Sequence, residues 1–511
     1  MDNDYKSSRV IPGRYPPPGE SAIADAIRGR RGARGLTPLD GALLHVPPIA
    51  EGWNTLLGAV RTKGKLPGDV REIMILRVAA INGAAFEWMQ HEPVGRTHGL
   101  TTGQLYVVRD IDTPLPPSDG IMSSLQMSAL LFADTSTRGI KVPGELIQTF
   151  KQTLAAWIRS SDKDAKDDEI SSKVDDLYAE AALVTASYNM VSRFLVATDV
   201  AGLSDEQVAW PVDRKEHFVK IPSPGHTIHA VTLITSPDAP WIVFANSLLT
   251  DLSMWSYFIP YLLSSPFGKS YNILLHSQRG HGKSTLPNST PQTTIPALAT
   301  DIRELLSELS ISTPVHTVIG VSQGGAAALA FAALYGAQGA SSIVVCDTGA
   351  KTPEGNKAAW EERITLVAAE NQSAEGMKVL GRVTIPRWFP AASRVVARGR
   401  SEWIHGMIEG TPVEGFEAGA RALGDYDLFS FSINGGQTEQ LLESDIGQVL
   451  LVAGELDGGG KVGAGLMALG ERWNAVRGEK KQVTYASIPG AGHLPMIDET
   501  EKFWEVVGKW L

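Results

Sequence analysis

The segment that most constrains the fold is 318–325, a short apolar run ending in Gly-x-Ser-x-Gly and followed by the alanine-rich residues 326–333. This pattern predicts a strand, a sharp turn and a helix, with Ser322 on the turn. Only small neighbours tolerate such a turn, which agrees with Gly320 and Gly324 on either side of the serine. The turn would place the hydroxyl at a helix N-terminus, where backbone N–H groups stabilise an oxyanion. Because the pentapeptide also occurs by chance, its meaning depends on the rest of the chain.

Length and composition narrow the class of protein. A chain of 511 residues exceeds what one core usually organises, so two domains are predicted. The net charge of −10 argues against a nucleic-acid partner. A single cysteine, Cys346, excludes an internal disulfide framework and a cysteine-based metal cluster. No run approaches the roughly 18 apolar residues of a membrane span, and the polar N-terminus lacks a signal-peptide core, so a cytoplasmic protein without a membrane partner is predicted.

The chain divides where its periodicity changes. Residues 1–34 are predicted to be a flexible leader, and apolar residues then recur at helical spacing, including one segment over 69–90. Glycine and proline punctuate 201–213, and short strand-like runs follow. We therefore predict an all-α domain over 35–212 and a second domain over 213–511.

The helical half contains one candidate for proton transfer. Glu87 and His91 are four residues apart and so share one face of a helix. A carboxylate beside an imidazole fixes its tautomer and raises its basicity, and Glu72 could join the pair from the preceding helix. A surface ion pair on an amphipathic helix explains the same spacing.

The second half alternates strands with helices, which predicts a largely parallel sheet covered on both faces. Eight strands are predicted, over 216–221, 227–234, 241–246, 271–276, 315–321, 342–346, 448–453 and 482–488. The Ser322 turn follows the fifth strand, which is the order of an α/β-hydrolase fold. A long helical segment, 351–445, separates the sixth strand from the seventh and is predicted to be a lid.

Two further residues complete a catalytic triad with Ser322. Asp457 follows the seventh strand and His493 lies in a glycine-rich loop after the eighth, so acid and histidine come in the order that this fold requires. His493 would remove the serine proton and Asp457 would hold the imidazole tautomer. Glu455 is the competing acid, but alternation along the strand end favours Asp457.

An oxyanion hole needs two backbone N–H donors. The first is predicted to be that of Gln323, immediately after the serine, and the second that of Leu248, in the loop after the third strand. No metal site and no cofactor are predicted, because no complete ligand cluster is visible.

The helical half resembles the carboxymuconolactone decarboxylase family and its AhpD-like relatives over roughly 35–205, on the segments 66–91 and 187–195. In the peroxidase branch a Glu precedes Cys-x-x-Cys, and a His follows; the same frame here reads Glu72, Ala84, Glu87 and His91. Without those thiols, peroxidase chemistry is excluded. The resemblance implies either proton transfer, as in the decarboxylase branch, or a non-catalytic domain that forms homo-oligomers.

The second half resembles the bacterial 3-oxoadipate enol-lactonases over about 215–511. The likeness lies in the loop 246–255, in Arg-Gly-His-Gly-Lys-Ser at 279–284 and in several lid pieces. Among those lid pieces, the resemblance implies substrate-binding roles for Trp360, Arg363 and Trp388. Gln323 replaces the usual Met, and 437–445 looks inserted, so the substrate stays open.

We therefore expect a serine hydrolase that opens a small-molecule lactone, enol-lactone or ester. The fusion of a decarboxylase-like and a lactonase-like domain, known in the opposite order in some bacteria, suggests coupled decarboxylation or proton transfer in the N-terminal domain. One alternative is a hydrolase of a polyketide-type lactone or a carbon–carbon bond, with a non-catalytic oligomerising N-terminal domain. A second is a small-molecule receptor that uses the hydrolase pocket.

Overall fold

A computed structural model describes residues 7–116, 120–222, 225–264, 270–287, 293–369, 373–393, 395, 400–433, 436–437, 440–478 and 482–511. The chain forms two compact units, Met1–Pro211 and Val212–Leu511. The division falls one residue before the predicted boundary. Within the described ranges, no helix combines the length and apolar character that crossing a membrane requires.

The first unit is all-helical. Its helices are α1 Ala22–Arg31, α2 Pro38–Leu43, α3 Pro47–Thr62, α4 Gly68–Ile81, α5 Ala85–Thr97, α6 Thr102–Arg109, α7 Ser124–Gly139, α8 Gly144–Ser161 and α9 Asp167–Ala197. The segment predicted as one helix over 69–90 is two, because Gly83 adopts a positive φ of 66° and ends α4. Two helices begin at residues that favour a helix N-terminus: Thr101 forms a capping box at the start of α6, and Ser123 forms one at the start of α7.

The predicted flexible leader is wrong from residue 7 onward, the first residue that the structure describes. Ala24 and Ile27 lie on one face of α1 and are buried in the core of the unit. Nearer the start, Arg9 Nε donates a hydrogen bond to Asp199 Oδ2 at 2.9 Å. The polar, proline-rich composition concealed this packing, because few apolar positions carry it: Ala24 and Ile27 in the core, with Ile11 and Ile23 packed against it.

Helix α4 is the centre of the first unit. Ile73, Met74 and Leu76 are fully buried, so polar groups on this helix need partners. Arg77 finds one in Asp134, with Nε 2.8 Å from Oδ1. Glu72 is buried on the same helix and faces α5.

The second unit is built on an eight-stranded sheet. Its strands are β1 Asp213–Ile221, β2 His226–Ile234, β3 Trp241–Ala245, β4 Asn272–His276, β5 Val315–Val321, β6 Ala340–Cys346, β7 Gln448–Gly454 and β8 Val483–Ile488. They lie in the order β1-β2-β4-β3-β5-β6-β7-β8, with β2 antiparallel to both β1 and β4 and all other pairs parallel. The predicted fold class is confirmed. Parallel strands bring the turns after β3, β5, β6, β7 and β8 to one edge.

Helices cover the sheet and a second group stands between β6 and β7. The first group comprises α10 Ile259–Ser264, α11 Ile295–Glu308, α12 Gln323–Gly339, α18 Lys461–Arg477, α19 Pro495–Asp498 and α20 Thr500–Trp510. The second comprises α13 Asn356–Ala369, α14 Ser373–Trp388, α15 Ser401–Glu409 and α16 Val413–Gly424, with the short α17 Gln440–Glu443 before β7. We call α13–α16 the lid; all four helices lie within the range predicted for it.

Candidate active site

Ser322 stands at a strained turn between β5 and α12. Its φ is 55° and its ψ −117°, a conformation that a residue with a side chain rarely adopts. A Cβ on Gly320 would lie 2.1 Å from the carbonyl oxygen of Gly324, and one on Gly324 would lie 2.2 Å from that of Ala245. Both positions therefore require glycine. The backbone N–H of Ser322 donates to the Cys346 carbonyl at 2.8 Å, which ties the turn to the end of β6.

Asp457 and His493 meet at the same edge of the sheet. His493 Nδ1 lies 2.9 Å from Asp457 Oδ2, and because an ionised carboxylate only accepts, the imidazole is the donor. Burial would raise the pKa of Asp457, but the charge of His493 and the hydrogen bonds to the carboxylate outweigh it and lower the pKa. The competing acid, Glu455, is exposed and accepts a hydrogen bond from the backbone N–H of Gly490. The structure thus pairs the imidazole with Asp457.

The three residues predicted as a triad line one cavity of about 900 Å³. Leu248, predicted to supply an oxyanion donor, lines it as well and is buried. Gln323, the other predicted donor, is the first residue of α12. The close approach of Gly324 to Ala245 brings the start of this helix against the loop that contains Leu248.

The side chain of Gln323 binds the lid. Its Nε2 donates to the carbonyl of Gly419 on α16 at 2.7 Å, and its Oε1 accepts from Gln278 Nε2 at 2.7 Å. Only 1% of Gln323 is exposed, so both hydrogen bonds of its side chain are buried inside the unit. A Cβ on Gly419 would lie 2.4 Å from Leu248 Cδ1. The lid therefore contacts both residues predicted to form the oxyanion hole.

The loop that carries His493 is bound to the lid too. The backbone N–H of His493 donates to the Trp388 carbonyl at 2.7 Å, and the two rings stack with centroids 6.1 Å apart. The backbone N–H of Gly492 donates to Asp498 Oδ2 at 2.8 Å, while Ser393 Oγ donates to Asp498 Oδ1. Asp498 and Ser393 were missed from the sequence, because neither lies in a motif that marks it.

The cavity wall is basic although the chain is acidic. Trp360, Arg363 and Trp388, predicted to bind substrate, all line it, and the Arg363 guanidinium lies 4.4 Å from the Trp360 ring centroid. Five lining residues carry a positive charge: Lys351, Arg363, Arg387, Lys461 and Arg472. The acids in the lining are Asp347 and Asp457, both next to His493. Clustered like charge in a cleft attracts a ligand of opposite sign.

A second cluster of ionisable residues lies inside the first unit. His91 Nδ1 is 2.7 Å from Glu72 Oε2, and both side chains are buried, so the surface ion-pair interpretation is wrong. Glu87 is buried, and neither of its carboxylate oxygens has a hydrogen-bond partner among the described residues. Two neighbours were missed from the sequence: Arg61, whose Nε donates to Tyr188 OH at 2.8 Å, and Tyr188 itself, whose ring meets that of His91 edge-on at 5.0 Å.

Burial controls the protonation of this cluster. It raises the pKa of Glu87 well above its usual range, although the positive charge of Arg61 opposes the shift. Burial also lowers the pKa of His91, with the Glu72 hydrogen bond acting in the other direction. In both residues burial therefore favours the neutral form.

Comparison with known proteins agrees with this architecture. Residues 242–506 match the sequence model of the alpha/beta hydrolase family. The chain belongs to that family. Within the first unit, residues 47–127 match the carboxymuconolactone decarboxylase family. Ser322, Asp457 and His493 lie inside the first match. Glu72, Glu87 and His91 lie inside the second.

Two individual relatives are named enol-lactonases. The chain is similar to 3-oxoadipate enol-lactonase 2 of Acinetobacter baylyi, with 30% identity over 192 residues that cover 37% of this chain and 65% of that enzyme, just under two thirds of its length. It is similar to 3-oxoadipate enol-lactonase 1 of the same organism, with 28% identity over 274 residues, 53% of this chain and 89% of that enzyme. Among solved structures, a hydrolase from Pseudomonas aeruginosa PA01 aligns with 58% of this chain and 98% of its own, at 23% identity and a TM-score of 0.47.

Proposed function

We propose that the hydrolase unit opens a lactone, an enol-lactone or a related ester by a serine mechanism. The observation that carries the proposal is the His493–Asp457 pair, held at 2.9 Å in the cavity that Ser322 also lines. Ser322 Oγ attacks the acyl carbon while His493 takes its proton, and the C–O bond to the ring oxygen breaks as His493 returns a proton to that oxygen. Water, activated by the same imidazole, then releases the carboxylic acid. Backbone N–H groups of Leu248 and Gln323 stabilise the oxyanion.

The basic wall supports a substrate that carries a free carboxylate. Five cationic side chains surround a cavity whose acids stand at the catalytic end, so a carboxylate on the far part of the substrate finds opposite charge there. The two enol-lactonases to which the chain is similar make a lactone the favoured electrophile. A neutral polyketide-type lactone would offer these cations no opposite charge.

We expect a γ-lactone with a free carboxylate to be opened at least tenfold more efficiently than its methyl ester. The Arg387→Gln variant should narrow that preference by roughly fivefold, since one partly solvated ion pair is worth about 1 kcal/mol at most. The measurement is kcat/KM for both compounds. Arg382→Gln is the matched control, because Arg382 is exposed on the same helix, pairs with Glu375 and does not line the cavity.

Equal rates for acid and ester, or equal effects of the two arginine variants, would refute the carboxylate as a recognition element. Turnover of a 1,3-diketone in place of every lactone would favour the carbon–carbon hydrolase instead. Binding of the lactone without release of product would favour a receptor.

A second activity, proton transfer coupled to decarboxylation, is our proposal for the first unit. The specific observation is Glu87, a buried acid with both oxygens unpartnered among the described residues. On a lactone that carries its carboxylate on the carbon next to the ring carbonyl, the bond to that carboxylate breaks, carbon dioxide leaves and the electron pair stays as an enolate. Glu87 gives its proton to that carbon, and a proton from solvent, passed through the Glu72–His91 pair, then restores Glu87.

We expect Glu87→Gln to lower carbon dioxide release from such a lactone at least tenfold while ester hydrolysis by the other unit is unchanged. A glutamine keeps the shape and neutrality of the buried acid but has no proton to give. The measurement is released carbon dioxide alongside hydrolysis of p-nitrophenyl acetate by the same sample. Glu92→Gln, on the same helix and ion-paired with Arg96, is the control. If both variants release carbon dioxide equally, the first unit has no such role.

A further inference from the structure

Asp347 is a buried carboxylate at the catalytic edge that the proposed triad does not use. It follows β6 and adopts a positive φ of 51°, which is strained for a residue other than glycine. Only 2% of it is exposed. Its backbone N–H donates to the Val452 carbonyl at 3.0 Å, and its Oδ1 accepts from the backbone N–H of Gly454 at 2.8 Å. Both contacts fix it against the end of β7, just before Asp457.

Asp347 lies next to the triad acid. Carboxylate oxygens of Asp347 and Asp457 and a ring nitrogen of His493 all lie within 4.8 Å of one another. Oδ2 of Asp347 meets no N–H or hydroxyl donor among the described residues. A hydrogen bond between two carboxyl groups needs a proton on one of them.

Chemistry decides which group holds that proton. Asp457 accepts from His493 Nδ1 and keeps its charge beside the imidazole. No described residue forms an ion pair with Asp347, and burial together with the charge of Asp457 raises the pKa of Asp347 well above its usual range. Two adjacent buried carboxylates repel strongly, so the pair carries one charge and one proton.

We propose that Asp347 is a positioning residue: its protonated Oδ2 donates a hydrogen bond to Asp457 and thereby holds the Asp457 carboxylate in line with His493 Nδ1. The inference rests on the proposed serine mechanism of the hydrolase unit. Asp347 touches no reacting atom; it acts by fixing the acid that orients the imidazole. It also explains why a strained backbone conformation is kept at this position, since the strain aims Oδ2 at the triad.

The proposal gives a signed dependence on pH. Because the pKa of Asp347 is raised, its proton and hydrogen bond persist to higher pH than in an ordinary carboxyl group and are lost as pH rises through that pKa. Beyond it, two neighbouring anions push Asp457 away from His493, so activity falls on the alkaline side. The groups around Asp347 are Asp457 and His493 from the loops after β7 and β8, the adjacent Cys346, Tyr426 after α16, and the cavity residues Lys351 and Lys461.

The test compares Asp347→Asn with Asp347→Ala over pH 6 to 10, using kcat/KM for p-nitrophenyl acetate. Asparagine can accept from Gly454 through its oxygen and donate to Asp457 through its nitrogen at every pH. We expect it to stay within about threefold of the wild type at neutral pH and to lose the alkaline fall, whereas alanine costs about tenfold throughout. Asp425→Asn, an exposed lid residue paired with Lys357, should keep the wild-type profile.

An infrared spectrum provides a readout that needs neither activity nor the alanine variant. The wild type minus Asp347→Asn difference at neutral pH should contain the carbonyl band of a protonated carboxylic acid, and Asp425→Asn should give none. If the protein hydrolyses no ester, the band still tests the shared proton. An absent band, an unchanged alkaline fall in Asp347→Asn, or a loss as large as that of alanine would each overturn the proposal.

Discussion

Replacing Ser322 with alanine is expected to lower kcat/KM for ester or lactone hydrolysis on the order of 10⁵-fold, leaving only the catalysis that binding and the oxyanion donors supply. Alanine keeps the small side chain that the turn needs, so the fold should survive. The same variant should fail to react with a fluorophosphonate probe that labels the wild type. The measurements are initial rates and intact-mass detection of the phosphonylated protein.

Members of one catalytic unit give effects that do not add. We therefore expect Ser322→Ala with His493→Ala to be hardly slower than either single variant. Ser307→Ala is the control for a hydroxyl lost elsewhere, because Ser307 is exposed on α11. Labelling of the Ser322→Ala protein at the wild-type rate, or turnover within tenfold of the wild type, would show that another residue is the nucleophile.

The sheet, the Ser322 turn and the contact of His493 with Asp457 could be predicted from sequence because most of their signals are local. Each strand is a short apolar run. The Ser322 turn needs glycine at two fixed positions, because a Cβ at either one would clash with the backbone. Order along the chain then placed Asp457 and His493, since parallel strands end at the same edge. Alternation along the end of β7 was enough to choose Asp457 over Glu455.

Contacts between segments far apart in sequence could not be predicted in the same way. The closeness of Asp347 to Asp457 depends on the register of β6 beside β7, which no local pattern encodes. The sequence shows that Gln323 replaces the Met usual in the enol-lactonases. Only the position of α16 in the structure shows that the Gln323 side chain binds the Gly419 carbonyl. The place of Tyr188 in the Glu87 cluster could not be predicted either, because α9 is remote from α5 in sequence but adjacent to it in space.

Gly492 shows how closely the lid and the catalytic loop are fitted. A Cβ there would lie 2.1 Å from the Trp388 carbonyl oxygen, the atom that accepts the hydrogen bond from the backbone N–H of His493. The loop cannot move away from the lid either, because its other side packs against the end of β7. There the carbonyl oxygen of Gly492 lies 1.9 Å from the position that a Cβ on Gly454 would take. The loop can therefore accommodate a methyl group only by moving His493, the lid or both.

We accordingly expect Gly492→Ala to lower kcat/KM at least 100-fold, since a displacement of about 1 Å in a catalytic group costs roughly that factor. Fluorophosphonate labelling of Ser322 should slow in parallel, because it needs the same imidazole, while circular dichroism reports whether the fold is kept. Gly406→Ala is the matched control: Gly406 lies on the lid helix α15, and a Cβ there meets nothing within 4 Å. If Gly492→Ala hydrolysed esters as fast as Gly406→Ala, the hydrogen bond from His493 to the lid would have no part in holding the imidazole.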